Sequence, residues 1–293
     1  MIMKGQKIIP YLWFDREAQE AAVFYTYAFK SGKIDRITQV GTSTLVEFDI
    51  GGFNFIGLNG GRVSTFTPSI SFLAAFNAIE EVEATWANLI TGGRALMELD
   101  KYPFSERYGW VEDKYGLSWQ LMYMGGRKFQ QKITPTLMYV GPQCGKAEAA
   151  VDFYTAVFNQ AKKGEVTRYQ EGEGPDAAGT VKHAAFILEG VEFAAMDSAY
   201  DHRFNFTEAI SLLVRCHTQA EIDHCWERLT AEGGEGGQCG WLKDRYGVSW
   251  QVVPDVLNGM LRNPDKEKVA RVTAAFLKMK KFDIEGLNKA FKG

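Results

Sequence analysis

Cysteine is scarce in this 293-residue chain and confined to one half: Cys144, Cys216, Cys225 and Cys239, with no CxxC spacing. That argues against a disulfide framework or a cysteine-built zinc site, and the expectation is reduced thiols. Histidine is equally sparse. His183 stands alone in VKHAAFI, where no carboxylate or cysteine lies at ligand spacing, and His224 and Cys225 are adjacent helical positions that point apart. Nothing resembles a GxSxG elbow, so no serine or cysteine nucleophile can be assigned. Lys/Arg runs interleaved with aromatics are missing and the net charge is −3, which speaks against nucleic acid as a partner. No segment approaches the ~18 consecutive apolar residues of a membrane span. The start, MIMKGQKIIPYLWFDREAQE, turns charged early and lacks a small-residue cleavage site. The expectation is a cytoplasmic protein without a membrane partner.

What the chain does have is a repeat. Residues 113–122 read DKYGLSWQLM and residues 244–253 read DRYGVSWQVV, 131 positions apart. Anchored there, the halves align in order: Pro10-Tyr11-Leu12 with Pro135-Thr136-Leu137, Phe24-Tyr25 with Phe153-Tyr154, Gly92-Gly93 with Gly233-Gly234, and Trp110 with Trp241. The polar GGRKFQQK at 125–132 reads as the junction, so the expected domains are 1–126 and 127–293.

Each half divides again. Residues 8–14 read as a strand, and Ala18, Ala21, Ala22, Tyr25 and Phe29 share one helical face. Short strands follow near 36–40, 44–50 and 53–59. This βαβββ grouping recurs, giving four modules that start near residues 8, 68, 133 and 208, an α+β class. Two departures stand out. The first half alone inserts RALMELDKYPFSERYG before Trp110, which reads as a loop extension, and the second half alone ends in a tail with Val269, Val272, Phe276 and Met279 on one stripe, read as two helices with Pro264 in a first turn.

The stretches PYLWFDREAQEAAVFY, FNFIGLNGG, CGWLKDRYGVSWQVVP and LRNPDKEKVARV together resemble the PhnB-like family, whose members often carry the label 3-demethylubiquinone-9 3-methyltransferase. That family is part of the vicinal oxygen chelate superfamily, also called the glyoxalase/bleomycin resistance/dioxygenase fold. The resemblance implies two tandem domains of that fold, each a curved sheet with helices outside and a pocket inside, plus C-terminal helices. It also implies that two domains usually brought together by dimerisation are joined covalently here; further homo-oligomer formation stays open. In metal-dependent relatives four side chains hold a divalent cation. The corresponding places here are Pro10, Gly57 or Ile56, Ser69 and Gln120, then Pro135, Ala195 or Ala194, Ala209 and Gln251. Only the glutamines could coordinate, so no metal and no cofactor are expected.

The remaining candidates carry bland readings beside functional ones. Gln120 and Gln251 alternate with tryptophans; if the tryptophans face helices, both carboxamides point into the pocket, as a ligand contact or as buried groups bonded to backbone. The same alternation places Leu12, Phe14, Leu137 and Tyr139 on the pocket wall, or in a filled core. Asn59 and Asp197 occupy matching strand ends and either orient a ligand or close turns on their own backbone. Glu47, in LVEFDI, is a general base if buried and otherwise the solvated side of a strand. The only glycine-rich candidate for S-adenosylmethionine, QEGEGPDAAG, reads as an exposed hairpin loop. The expected function is metal-free binding of a small, partly aromatic or apolar ligand. The alternatives are an enzyme acting on a quinone-like ring and a metal-dependent lyase, isomerase or dioxygenase.

Overall fold

The duplicated phrase is a turn that stitches itself shut. In the computed structural model, which describes residues 5–293, Asp113 Oδ1 accepts from the backbone N–H of Tyr115 (2.8 Å) and Leu117 (3.0 Å), and Oδ2 accepts from the indole of Trp119 (3.0 Å). Asp244 repeats this with Tyr246 (2.9 Å), Val248 (3.1 Å) and Trp250 (2.8 Å). The glycine between them sits at positive φ, 85° at Gly116 and 91° at Gly247, where a side chain would strain the turn. Each aspartate is buried, and each fixes which face of the next strand its tryptophan takes. Residues 1–4, part of the stretch read above for a targeting signal, lie outside the described residues.

The four modules appear in chain order. The first is β1 (Ile8–Phe14), α1 (Ala18–Ala28), β2 (Gly32–Val40), β3 (Ser43–Ile50) and β4 (Phe53–Asn59). The second is β5 (Ile70–Phe76), α2 (Ile79–Leu89), β6 (Arg94–Tyr102), β7 (Ser105–Glu112) and β8 (Ser118–Tyr123). The third is β9 (Ile133–Val140), α3 (Ala147–Val157), β10 (Ala161–Arg168), β11 (Val181–Leu188) and β12 (Val191–Ser198). The fourth is β13 (Ile210–Cys216), α4 (Gln219–Leu229), β14 (Glu235–Gly236), β15 (Trp241–Lys243) and β16 (Ser249–Pro254), and the tail holds α5 (Asp255–Leu261), α6 (Lys266–Phe276) and α7 (Ile284–Lys292). Two eight-stranded sheets result, in the orders β14-β15-β16-β13-β1-β4-β3-β2 and β10-β11-β12-β9-β5-β8-β7-β6. The sequence repeat and the sheets therefore divide the chain differently: modules one and four share the first sheet, two and three the second. By compactness the described residues form one unit of 5–6 with 12–210, and another of 7–11 with 211–293.

Two expectations about the ends of the repeat need correction. The insertion in the first half is a strand pair, β6 with β7: Arg94, Ala95, Met97, Asp100 and Tyr102 pair with Glu112, Val111, Trp110, Tyr108 and Ser105 across a register that shifts three times. The tail from Pro264 onward holds the two expected helices, α6 and α7, but Asp265 rather than Pro264 begins α6, accepting from Glu267 N (3.0 Å) and Lys268 N (3.2 Å).

In the first unit, Trp119 sits among Phe29 (4.8 Å), Tyr25 (5.2 Å) and Phe72 (5.5 Å) by ring centroids, so its side of β8 is the helix side. The apolar face of α1 is buried as its periodicity requires.

Burial pushes Asp113 up to about 6 against the pull of the donors around it, Trp119, Tyr115, Tyr25 and Leu117. An unfolded aspartate titrates near ~3.9, so between about pH 4 and 6 the folded chain holds a proton that the unfolded chain has lost. Stability from this group is full below about pH 4 and is lost as pH rises through about 6. Urea denaturation at pH 4.5 and 7, compared between the parent and Asp113→Asn, should show this slope in the parent alone; equal slopes would contradict it.

Candidate functional site

Because Trp119 faces the helices, Gln120 faces the other way. Its carboxamide is 3% exposed and held at both ends: Oε1 accepts from Tyr108 Oη (2.7 Å) and Nε2 donates to Ser71 Oγ (2.8 Å). Beside it, Trp110 Nε1 donates to Ser118 Oγ (2.6 Å). The registers Trp110↔Gln120, Leu73↔Gln120 and Ser71↔Thr136 place these side chains on one helix-free face of the second sheet. Burial pushes the Tyr108 phenol far up, so it remains a donor. Tyr108 is packed edge-on against Tyr102 (5.5 Å) and Phe104 (4.9 Å), both from the inserted hairpin. The residues peculiar to the first half thus position the donor that orients its glutamine.

Methionine lines much of the same face. Met97 pairs with Trp110, Met122 with Tyr108, and Met138 with Met196. Thioethers are flexible and polarizable, and they sit well against ring edges. Ser69, just ahead of β5, is fully buried; its carbonyl accepts from Met138 N (2.8 Å), and its Oγ has no partner among the described residues.

The second unit keeps half of this arrangement. Gln251 Nε2 donates to Ser211 Oγ (2.9 Å), as Gln120 does to Ser71. The place of Tyr108, two residues ahead of the tryptophan, is taken by Cys239, whose thiol is directed to Phe276 O (3.7 Å). Among the described residues no donor reaches Gln251 Oε1. Trp241 meets Tyr11 edge-on at 5.8 Å, and the buried Ser249 Oγ lacks a partner among the described residues.

Several expected wall residues lie on the opposite side. Phe14 packs against Phe66 (5.1 Å) and Tyr115 (6.1 Å), and a side chain at Gly57 would meet Phe14 and Ala18, so Phe14, and with it Leu12, faces α1. Tyr139 reaches Tyr154 of α3 (Oη to Oη, 3.3 Å), which turns Leu137 and Tyr139 to the helices as well. The expectation failed because it carried the parity of β8 over to β1 and β9 without knowing their register. Asn59 and Asp197 are helix caps. Asn59 Oδ1 accepts from Ala18 N (2.7 Å), and Asp197 accepts from Gly145 N (2.8 Å), Ala147 N (3.1 Å) and Val181 N (3.0 Å). Glu47 does lie on a helix-free face, half-buried, with Arg36 Nε 3.6 Å away across β2 and β3. Of the family's cation positions, Ile56 and Ala194 take the helix-free side, whereas Gly57 and Ala195 face the helices. Sequence reasoning missed Ser71, Ser211 and Tyr108. The two serines had a signal in the aligned Ile70-Ser71 and Ile210-Ser211; Tyr108 had none, since the insertion has no counterpart.

These residues do not fit a transition-metal ion. Among the described residues no three His, Cys, Asp or Glu come together as such an ion requires. Nor do they fit S-adenosylmethionine: QEGEGPDAAG spans the mostly exposed hairpin loop between β10 and β11, not a strand-to-helix turn. Among the described residues no helix is long and apolar enough to cross a membrane.

Comparison with known proteins agrees with this layout. The sequence profile of the 3-demethylubiquinone-9 3-methyltransferase family matches residues 6–122 and again 131–253. The PhnB protein from Bacillus cereus is 34% identical over 40% of this chain and 99% of its own, with a TM-score of 0.38. Glyoxalase I from Zea mays matches 88% of this chain and 98% of its own at 12% identity with a TM-score of 0.57. A mutant of the same maize enzyme matches 87% and 96% at 11% identity and 0.59. At that identity the likeness is one of fold. None of the curated proteins matches.

Proposed function

We propose that this chain, which belongs to the 3-demethylubiquinone-9 3-methyltransferase family, binds a small aromatic or apolar molecule on the helix-free face of its second sheet, without a metal ion. One observation carries the reading: a buried carboxamide, Gln120, is fixed between Tyr108 and Ser71 on a face where Met97, Met122, Leu73 and Trp110 stand beside Ser118 and Thr136. Few oriented polar groups within an apolar lining is the usual make-up of a small-molecule site. The fold is that of the glyoxalase/bleomycin resistance/dioxygenase superfamily, but the donors its metal-dependent members use are replaced on this face by Ala194 and Ser69. The equivalent face around Gln251 is a weaker candidate, since no tyrosine orients its amide.

A thermal-shift panel of divalent ions, S-adenosylmethionine and hydroxylated aromatics tests the reading, because anything that binds the native state raises its melting temperature. Aromatics are expected to stabilise the protein and the ions to leave it unmoved. Stabilisation by S-adenosylmethionine would instead favour methyl transfer to a quinone-like ring, and stabilisation by a transition ion would overturn the metal-free reading. Gln120→Leu is expected to weaken aromatic binding about tenfold, roughly the loss of one buried hydrogen bond. Titration calorimetry would measure this, and unchanged affinity would remove Gln120 from the site.

A further inference from the structure

At the end of the same face stands a serine–histidine pair that nothing above uses. Ser198 Oγ and His202 Nε2 are 2.8 Å apart. Asp197 caps α3 on the helix side, so Ser198, its neighbour in β12, takes the helix-free side. It pairs with Val140, two steps along from the facing Met196 and Met138. His202 stands between two rings, Tyr200 at 6.2 Å and Phe204 at 4.9 Å, and among the described residues its Nδ1 has no partner.

The chemistry of this corner selects among ligands. Burial lowers the pKa of His202 while Asp176 and Asp201 pull it back up, so around neutral pH the ring is an uncharged imidazole. A neutral imidazole and a hydroxyl each donate and accept, which suits a hydroxyl group on a ligand. The two aspartates that act on the ring disfavour an anion beside it. Asp176 is itself buried, with Oδ1 accepting from Ala199 N (2.7 Å). Met196, partly exposed and paired with the buried Met138, offers thioether surface for an aromatic ring.

We infer that Ser198 and His202 are the polar end of the second-sheet site and hold the hydroxyl of a neutral, phenol-like aromatic whose ring lies on Met196, next to the buried Met138. The inference rests on the small-molecule reading above. Three probes test it: 1-naphthol, its anionic counterpart 1-naphthoate, and saturated decahydro-1-naphthol. The chain has only four histidines, so imidazole NMR spectra are readily assigned with His202→Gln, which keeps a polar partner for Ser198. Methionine methyl spectra report on the face itself. Addition of 1-naphthol should shift the His202 ring and the Met138 and Met196 methyls. Ser198→Ala and His202→Phe should each weaken it at least fivefold, and the other two probes should bind at least tenfold more weakly than 1-naphthol. Equal or tighter binding of 1-naphthoate overturns the inference. So does 1-naphthol binding that moves Met97 and Met122 but not His202, although the small-molecule reading then survives. If no probe moves any methionine on this face, both fall.

Discussion

Removal of residues 262–293 is expected to leave the second unit unable to fold. The tail does for the second half what the inserted hairpin does for the first. In the first half β6 runs beside β7 and covers it. In the second half the corresponding strand, β14, has only two residues against β15, and the N–H groups of Cys239 and Gly240 donate to Met279 O and Lys280 O, each at 2.7 Å. Gln219 then grips the same segment, donating to Phe282 O (3.0 Å) and accepting from Ile284 N (2.9 Å). Gly240, at φ 79°, lies so close to the Phe282 ring that a Cβ would come within 2.6 Å of it. Phe282, Val272 and Leu287 are all buried, and each such side chain contributes about 1.5–3 kcal/mol. Their joint loss, at least about 5 kcal/mol, is comparable with the whole stability of a typical domain. It would also bare the edge of the first sheet to other chains. The truncated protein should be recovered mostly in the insoluble fraction, or should lack a calorimetric transition that the full chain shows. Phe282→Ala, the milder probe, should cost about 3 kcal/mol. A soluble truncated chain that melts within a few degrees of the parent would refute this role.

Asp113→Ala carries the second large effect, about 4 kcal/mol by urea denaturation, because it strands three donors at once in a buried turn. Two are backbone N–H groups and the third is the Trp119 indole. The effect should reach the site as well. Trp119 and Gln120 are consecutive on β8, so a strand that no longer fixes the tryptophan no longer aims the carboxamide, and aromatic binding should fall along with stability. Asp244→Ala should cost a similar amount in the second unit without touching binding at Gln120. A loss below about 1 kcal/mol for both variants would mean that the repeated phrase owes its duplication to something other than this turn.

Much of this architecture could be read before the coordinates, for identifiable reasons. The module order was legible because alternation and 3.6-residue periodicity are strong in short, half-buried elements, as in α1, where Ala18, Ala21, Ala22 and Tyr25 are all fully buried. The pairing of modules into sheets was not legible, since which strands meet across long separations leaves no local mark. The facing of Gln120 followed from its neighbouring tryptophan, whereas that of Leu12, Phe14, Leu137 and Tyr139 needed the register of strands far away in sequence. Asn59 and Asp197 show a further limit. A polar residue at a strand end looks the same whether it meets a ligand or the N-terminus of the next helix, and only the 2.7 Å bond to Ala18 N separates the two for Asn59. Ser198 and His202 went unremarked because a short irregular stretch between partners carries no period.

The place of β1 between β13 and β4 governs how the protein can be made. Strands β5 to β12, Ile70 to Ser198, complete the second sheet from one continuous stretch of polypeptide. The first sheet must instead keep its opening strand waiting on the ribosome until Ile210–Cys216 has been synthesised, a delay of roughly ten to forty seconds at ordinary elongation rates. Until then residues 8–14 present an apolar edge to every other nascent chain nearby, so their guardian during translation is either a chaperone or the speed of the ribosome itself.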